Sequence, residues 1–266
     1  MVANFWLRSG DSSSANNFVG FLAETLSNFG DKTVGLIRLD SGFCQKEVLD
    51  YLEQNTLDYI VTAKFTHPIQ HLIYSYQAWV SVDDGIEICS KTYKTYNSKQ
   101  ERRIVIVRQK IQQRPNAPGK ILSLFPEDEL HRNYRYSAYF TNLKHSATDI
   151  WRGYSARGDA ENRIKELKND FGAESFNLKG FFATEAALIF VMIAYNLMSL
   201  FRFFVLQEKT QKTLSTLRYR VFAIGAYFEK VNGILKLKIA LTKKRRKWFA
   251  ALWDYPIDFN PKNPIA

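Results

Sequence analysis

The sequence predicts a mixed α/β fold: a layered core with parallel strands, interrupted by a β-rich segment and then resumed by helices. Three observations predict it. Residues 4–65 alternate helix-like and strand-like patterns. Residues 77–145 carry strand patterns separated by turn signals. Beyond about residue 148 a helical period returns and includes a long apolar run.

Taken in order, residues 4–8 read as a short strand. Ser13 or Ser14 is placed to cap a helix through about Leu26, with Phe18, Val19, Phe21, Leu22 and Leu26 inward. Gly30 and Asp31 end it. Thr33–Leu39 is a compact apolar strand of the kind buried on both faces. Gln45–Asn55 is an amphipathic helix with Val48, Leu49 and Leu52 as its stripe, and Leu57–Phe65 a second strand. In the next segment Trp79–Val82, Ile86–Tyr93, Arg103–Gln109 and Arg135–Phe140 read as strands. Turns fall at Asp83–Gly85 and Pro115–Gly119. A helix beginning near Thr148 runs to about Asp170, where Phe171 and Gly172 stop it. A long apolar helix follows from about Thr184 to Leu206. Residues 218–240 read as strands around a turn at Val231, Asn232 and Gly233, and the chain closes on the basic run Lys243–Lys247 beside Trp248, Phe249 and Trp253. The expected divisions are 1–76, 77–145, 146–210 and 211–266, and there are no internal repeats.

The length of 266 residues suits one or two domains, and a formal charge of +11 with a pI near 9.5 favours a polyanionic partner. Two cysteines, Cys44 and Cys89, make no disulfide framework and fit a reducing compartment. The four histidines show no zinc spacing: His67 and His71 are four apart, but Pro68 between them argues against one regular helix. No signal peptide opens the chain. The apolar stretch Ala186–Tyr195, extending to Phe204, is interrupted or flanked by Glu185, Asn196, Ser199 and Arg202. It reads as a helix buried in a soluble core and not as a membrane span.

The most specific segment runs from Tyr154 to Lys168 and reduces to Tyr-x2-Arg-x3-Glu-x6-Lys. On one continuous helix, at about 100° per residue, Tyr154, Arg157, Glu161 and Lys168 share a narrow arc. That face carries a carboxylate, which can hold a metal ion, among cations that can hold phosphates. Upstream, Leu36 to Leu39 form a strand ending in Asp40, followed by Ser41, Gly42 and Phe43. Together these motifs resemble a large subgroup of DDE transposases from bacterial insertion sequences. The four-residue signature is similar to that subgroup's third-acid helix, and Asp40-Ser41-Gly42-Phe43 to its second-acid motif. Asn162 and Lys165 also resemble it, and the likeness extends from Asn4 to the C-terminal basic run.

The resemblance implies a ribonuclease-H-like (retroviral-integrase-like) core interrupted by a β-rich insertion. The insertion accounts for the 121 positions between Asp40 and Glu161. It implies Asp40 and Glu161 as catalytic metal ligands for Mg²⁺, with Mn²⁺ as a substitute. It implies Tyr154, Arg157 and Lys168 as contacts to the terminal phosphates of an element end. The chemistry would be hydrolysis of DNA at element ends, then transesterification into target DNA, with two ions roughly 4 Å apart. Read as ordinary residues, Asp40 is an Asx-turn or helix cap, and Glu161 a helix salt-bridge partner of Arg157 or Lys165. Asp159 and Glu166 lie off the stripe and read as solvated.

Lys99, Arg102, Arg103, Arg108 and Lys110 of the β segment, together with Lys165 and Lys243–Lys247, are candidate backbone contacts to double-stranded DNA. Trp79 is a candidate wedge at a flipped base, and Trp151 reads as a packed aromatic. The family carries a first catalytic Asp upstream of the second, and here only 39 residues precede Asp40. Asp11, Asp31 and Glu24 are the acids in that stretch, and they read as solvated. The expectation is therefore a chain lacking the N-terminal core strand, weak or inactive alone, acting in a bacterial, nucleoid-associated cytoplasm as a homo-oligomer or with full-length transposase. The alternative is a non-catalytic remnant that binds DNA or transposase and inhibits transposition.

Overall fold

A computed structural model describes residues 1–13, 15–75, 78–94, 100–111, 134–155, 157–207 and 211–253. Ser14, Lys99 and the expected turn at 115–119 lie outside the described residues. The chain divides into two units, one of Trp6–Asp159 and one of Met1–Phe5 with Ala160–Ala266.

The first unit contains α1 (Phe18–Ser27), β1 (Ile37–Leu39), α2 (Lys46–Gln54), β2 (Tyr59–Thr62) and α3 (His67–Tyr74). It continues with β3 (Val80–Asp83), β4 (Ile86–Lys94), β5 (Glu101–Lys110), β6 (Tyr134–Thr141) and α4 (Ala147–Ser155). Among the described residues the strands make one six-stranded sheet in the order β1-β2-β6-β5-β4-β3. β1 and β2 are parallel, and every other neighbouring pair is antiparallel. The strands expected as a separate insertion thus continue the sheet that carries β1 and β2. The register of β6 against both β2 and β5 explains this: Phe140 lies opposite Val61 on one side and Ile104 on the other.

The central strands are apolar at consecutive positions, so both sheet faces need cover. On one face Tyr59, Val61, Ile104, Ile106, Ala138 and Phe140 pack with Phe18 and Leu22 of α1, Val48, Leu49 and Leu52 of α2, and Ile69 and Ile73 of α3. On the other face Ile60, Val105, Val107 and Tyr139 pack with Ile150, Trp151 and Tyr154 of α4.

Several local expectations are corrected. Residues 4–8 form no strand. The strand expected from Thr33 is only Ile37–Leu39, consistent with the weak pleat at Gly35. His67 and His71 do share one helix, because Pro68 sits in its first turn, where a missing N–H costs nothing.

The second unit contains α5 (its helix, Gly158–Asn169, starts just before the division), α6 (Phe181–Phe201), α7 (Leu214–Leu217), β7 (Ala226–Val231), β8 (Ile234–Ile239) and α8 (Lys243–Trp253). Single π-helical turns follow α6 at Arg202–Leu206 and α7 at Arg218–Phe222. Arg218–Phe222, expected as strand, instead prolongs α7, whose N-cap Thr213 accepts a hydrogen bond from the Thr216 amide. β7 and β8 form the expected hairpin. Asn232 (φ 52°) and Gly233 (φ 81°) supply the two positive φ values of a tight two-residue turn.

The apolar helix was expected to be buried, and α6 is not. Tyr195, packed edge-on against Phe171 at 5.3 Å, is its one buried residue. Phe182 is 81% exposed and Phe190 72%. A helix that is apolar on all sides gives no sign of which side meets a neighbour.

Two predictions follow from these cores. Arg102, expected on a DNA-facing strand, is buried at 6% exposure and bonds Asp50 and Glu53. Burial opposes its charge, but the hydrogen bonds it donates to Glu53 and Asp50 outweigh this and hold the guanidinium protonated. Glu53 also accepts from the buried Tyr59 hydroxyl at 2.7 Å, and burial together with this bond pushes the phenol up. Arg102→Met should cost about 3 kcal/mol in denaturant unfolding, the low end for a broken buried pair because both carboxylates keep some water. The salt dependence of DNA binding should not change. Cys89 is buried in β4, and burial pushes its thiol up to about 11. Its folded value lies above the unfolded one, so its contribution is complete below about pH 8.5 and is lost as pH rises toward 11. Cys89→Ala should flatten that alkaline part of the stability profile, read by urea melts at pH 7 and pH 10.

Candidate functional site

Asp40 follows directly on the last residue of β1, the edge strand of the sheet among the described residues. Its backbone is extended (φ −82°, ψ 176°), and it caps the 3₁₀ turn Ser41–Phe43. One carboxylate oxygen, Oδ1, accepts the Gly42 amide at 2.8 Å. The turn reading of Asp40 is therefore realised, and the side chain keeps a second oxygen for other work. A Cβ at Gly42 would lie 2.9 Å from Asp40 Oδ1 and push the carboxylate aside.

That second oxygen, Oδ2, accepts from Nη2 of Arg157 at 3.1 Å. Two features bring Arg157 to it. Arg38, two residues before Asp40, donates through Nη1 to the Gly153 carbonyl near the end of α4 at 2.9 Å. Gly153 in turn lies close over Ile60 of β2, where a Cβ would meet Ile60 Cδ1 at 3.5 Å. The end of α4 is thereby held over β1 and β2.

The helix ends at the same place. A continuous helix would have the Arg157 amide bond the Gly153 carbonyl, to which Arg38 donates. The Arg157 amide instead bonds the Tyr154 carbonyl at 2.8 Å, and a new helix starts at Gly158. The Ser155 hydroxyl, bonded back to the Trp151 carbonyl at 2.9 Å, adds to the bend. The expected single stripe is therefore divided. Tyr154 ends on α4, Arg157 lies in the turn, and Glu161, Lys165 and Lys168 lie on α5.

Tyr154 is half-buried against Tyr139, ring centroids 4.8 Å apart, and the Arg157 guanidinium lies 6.0 Å from its ring centre. Burial pushes the Tyr139 phenol up. Glu161, Lys165 and Lys168 are exposed, and Lys168 Nζ is 3.5 Å from Glu174. Beside the Asp40 turn a cavity of about 180 Å³ is lined by Trp6, Arg8, Phe18, Phe21 and Phe43.

The basic residues of the β segment are largely committed to the fold. Arg102 is buried as described. Arg103 donates to Ser90 and to the Leu143 and His145 carbonyls, tying β5 to the loop before α4. Arg108 pairs with Glu87 at 2.6 Å and stacks over Trp79 at 4.4 Å and Tyr134 at 4.6 Å. Trp79 therefore belongs to a packed cation–aromatic cluster. Lys110 is exposed, as are Lys243, Lys244, Arg246 and Lys247 on α8. Trp151 is packed in the second core as expected.

Glu166 was read as solvated and is 6% exposed. Its buried partner is Arg202. A lone arginine directly after 21 mostly apolar helical residues was the available signal, since a buried cation requires a partner.

Carboxylate oxygens are hard donors suited to Mg²⁺, and both Asp40 and Glu161 present carboxylates with access to solvent. Among the described residues no group of three or more His, Cys, Asp or Glu side chains converges. No curated protein matches the chain. A family model described as transposase DDE domain, group 1, matches residues 1–255. With nearly the whole chain matched, this chain belongs to the DDE transposase domain family.

Proposed function

We propose that the chain carries the cleavage and joining chemistry of an insertion-sequence transposase, with Asp40 and Glu161 as metal ligands. The observation that supports this best is the Asp40–Arg157 ion pair. It joins two segments 117 residues apart that the sequence singles out independently. Bound Mg²⁺ or Mn²⁺ would generate the attacking oxygen nucleophile and stabilise the leaving oxygen.

The rest is work for this chain's own groups. Asp40 supplies an oxygen from a rigid strand end, fixed by the Gly42 amide. Arg157 is a planar fork suited to either a carboxylate or a phosphate, and in the structure it serves Asp40. Tyr154 gives Arg157 an aromatic wall. Lys165 and Lys168 are exposed point charges on the helix of Glu161, suited to backbone phosphates. The partner is double-stranded DNA, both element ends and target. Pairing two ends favours a homo-oligomer or assembly with full-length transposase, in a bacterial cytoplasm.

A second reading is a non-catalytic chain that binds DNA or transposase and inhibits transposition. It would meet DNA through the exposed lysines of α5 and α8, which need no metal to contact a phosphate backbone.

Mn²⁺-dependent nicking of supercoiled DNA separates the two. Nicking that is abolished in Asp40→Asn and in Glu161→Gln supports the enzyme. Salt-sensitive DNA binding without nicking supports the inhibitor and removes the catalytic assignment. A finer prediction concerns Gly42→Ala. The added methyl displaces the Asp40 carboxylate, and a misplacement of about 1 Å can cost about 100-fold in rate. Loss of nicking on that scale should accompany an unchanged far-UV circular dichroism spectrum.

A further inference from the structure

We infer that Glu166 is a positioning residue: it locks the rotation of α5 about its axis and so aims the face that carries Glu161. The inference rests on the assignment of Glu161 as a metal ligand. At about 100° per residue, Glu161, Lys165 and Lys168 span an arc of about 60°, and Glu166 and Asp170 lie on the opposite side. Exposure follows this division. The first three are exposed, whereas Glu166 is 6% exposed and Asp170 half-buried.

The rear side of α5 is held by carboxylates. Glu166 Oε1 accepts from Arg202 Nη2 and from the Leu214 amide, the latter at 2.7 Å. Glu166 Oε2 accepts from Gln211 Nε2 at 3.4 Å. One turn further on, Asp170 Oδ2 accepts the Ser215 amide at 3.0 Å. One side chain thus ties α5 to the turn after α6 and to the start of α7.

Two features make this a lock and not a general adhesive. Arg202 is 8% exposed, and its Nε and Nη1 have no hydrogen-bond partner among the described residues. Among the described residues its charge is met by Glu166, and a rotated α5 would strand a buried cation. The backbone amides of Leu214 and Ser215 are directional donors at fixed positions. With two carboxylates one turn apart engaged by successive amides, α5 has one rotational setting that satisfies them all.

On the outward face Glu161, Lys165 and Lys168 are exposed. Ile164, beside the signature face, is 53% exposed. The aim of Glu161 therefore comes from the rear of its own helix. Groups that orient metal ligands without touching the metal act in this way.

The test uses the full chain with Cys44→Ser and spin labels at Lys168→Cys and Ala194→Cys, both exposed sites of the same unit. The label-to-label distance is read by pulsed electron resonance. Glu166→Gln keeps an acceptor for the Leu214 amide but strands Arg202, so it can destabilise. The double variant Glu166→Gln, Arg202→Met removes both charges and keeps the chain foldable. The distance distribution should be narrow in the parent and broadened or shifted in the double variant, with retained circular dichroism. An unchanged distribution in both variants overturns the inference.

A second readout, in unlabelled protein, is the Mn²⁺ concentration giving half-maximal nicking. It should rise about 10- to 100-fold in the double variant, while metal-free DNA affinity and its salt slope stay put. A purely structural role would change stability and leave the Mn²⁺ requirement alone, which also overturns the inference. If the parent chain does not nick, the functional reading fails, and the distance measurement still decides whether Glu166 sets α5.

Discussion

The burial of both faces of β2, β6 and β5 is the constraint on which the first unit depends. Consecutive apolar residues such as Tyr59, Ile60 and Val61, or Ile104 to Val107, leave neither face of the sheet compatible with water. Three helices cover one face and α4 the other. Because α4 packs through Ile150, Trp151 and Tyr154, its C-terminal end comes over the end of β1. Arg38 fixes that docking through one carbonyl, and the same carbonyl is the one a continuing helix would have used. The packing of α4 and the approach of Arg157 to Asp40 thus share one cause.

Charge in this chain is spent in two different ways. Arg102 and Arg103 have donors taken up by carboxylates, a hydroxyl and carbonyls of the fold, and Arg202 gives one nitrogen to Glu166. Arginine suits that work because its planar fork meets several acceptors at once. The exposed cations on α5 and α8 are mostly lysines, compact charges on flexible stems that can follow a phosphate backbone. The excess of +11 is therefore a poor guide to which residues meet a polyanion. Burial and hydrogen-bond partners separate the two groups.

Much of the fold was legible because it follows from short-range patterns. The stripe of α2, the apolar runs of β5 and β6 and the Asn232–Gly233 turn each depend on residues close in sequence. Asp40 at a strand end was legible for the same reason. What was not legible depends on long-range partners. The docking of the end of α4 involves Arg38, 115 residues upstream in the chain from Gly153. The burial of Arg102 requires Asp50 and Glu53 from another element. Glu166 looks like any surface glutamate until Arg202, 36 residues on, is placed beside it. The β-rich segment reads as a separate insert because strand patterns reveal alternation but not which strand is the neighbour.

Helix α6 shows how composition and role part company. It is long and apolar enough to cross a membrane by length and composition alone. Its polar groups argue for a different use. The Asn196 side chain accepts the Val2 amide at 2.7 Å and donates to the Val2 carbonyl at 2.9 Å, pairing a backbone segment of the same unit. Arg202, at the first residue after the helix, is committed to Glu166 on α5. A spanning helix would have to carry that ion pair, with two unpartnered nitrogens, near the hydrocarbon boundary at considerable cost. The same pair costs less where it ties α5 to α6 within a protein unit, and there it also holds the helix that bears Glu161. The polar residues of this run, not its hydropathy, identify the work that α6 does.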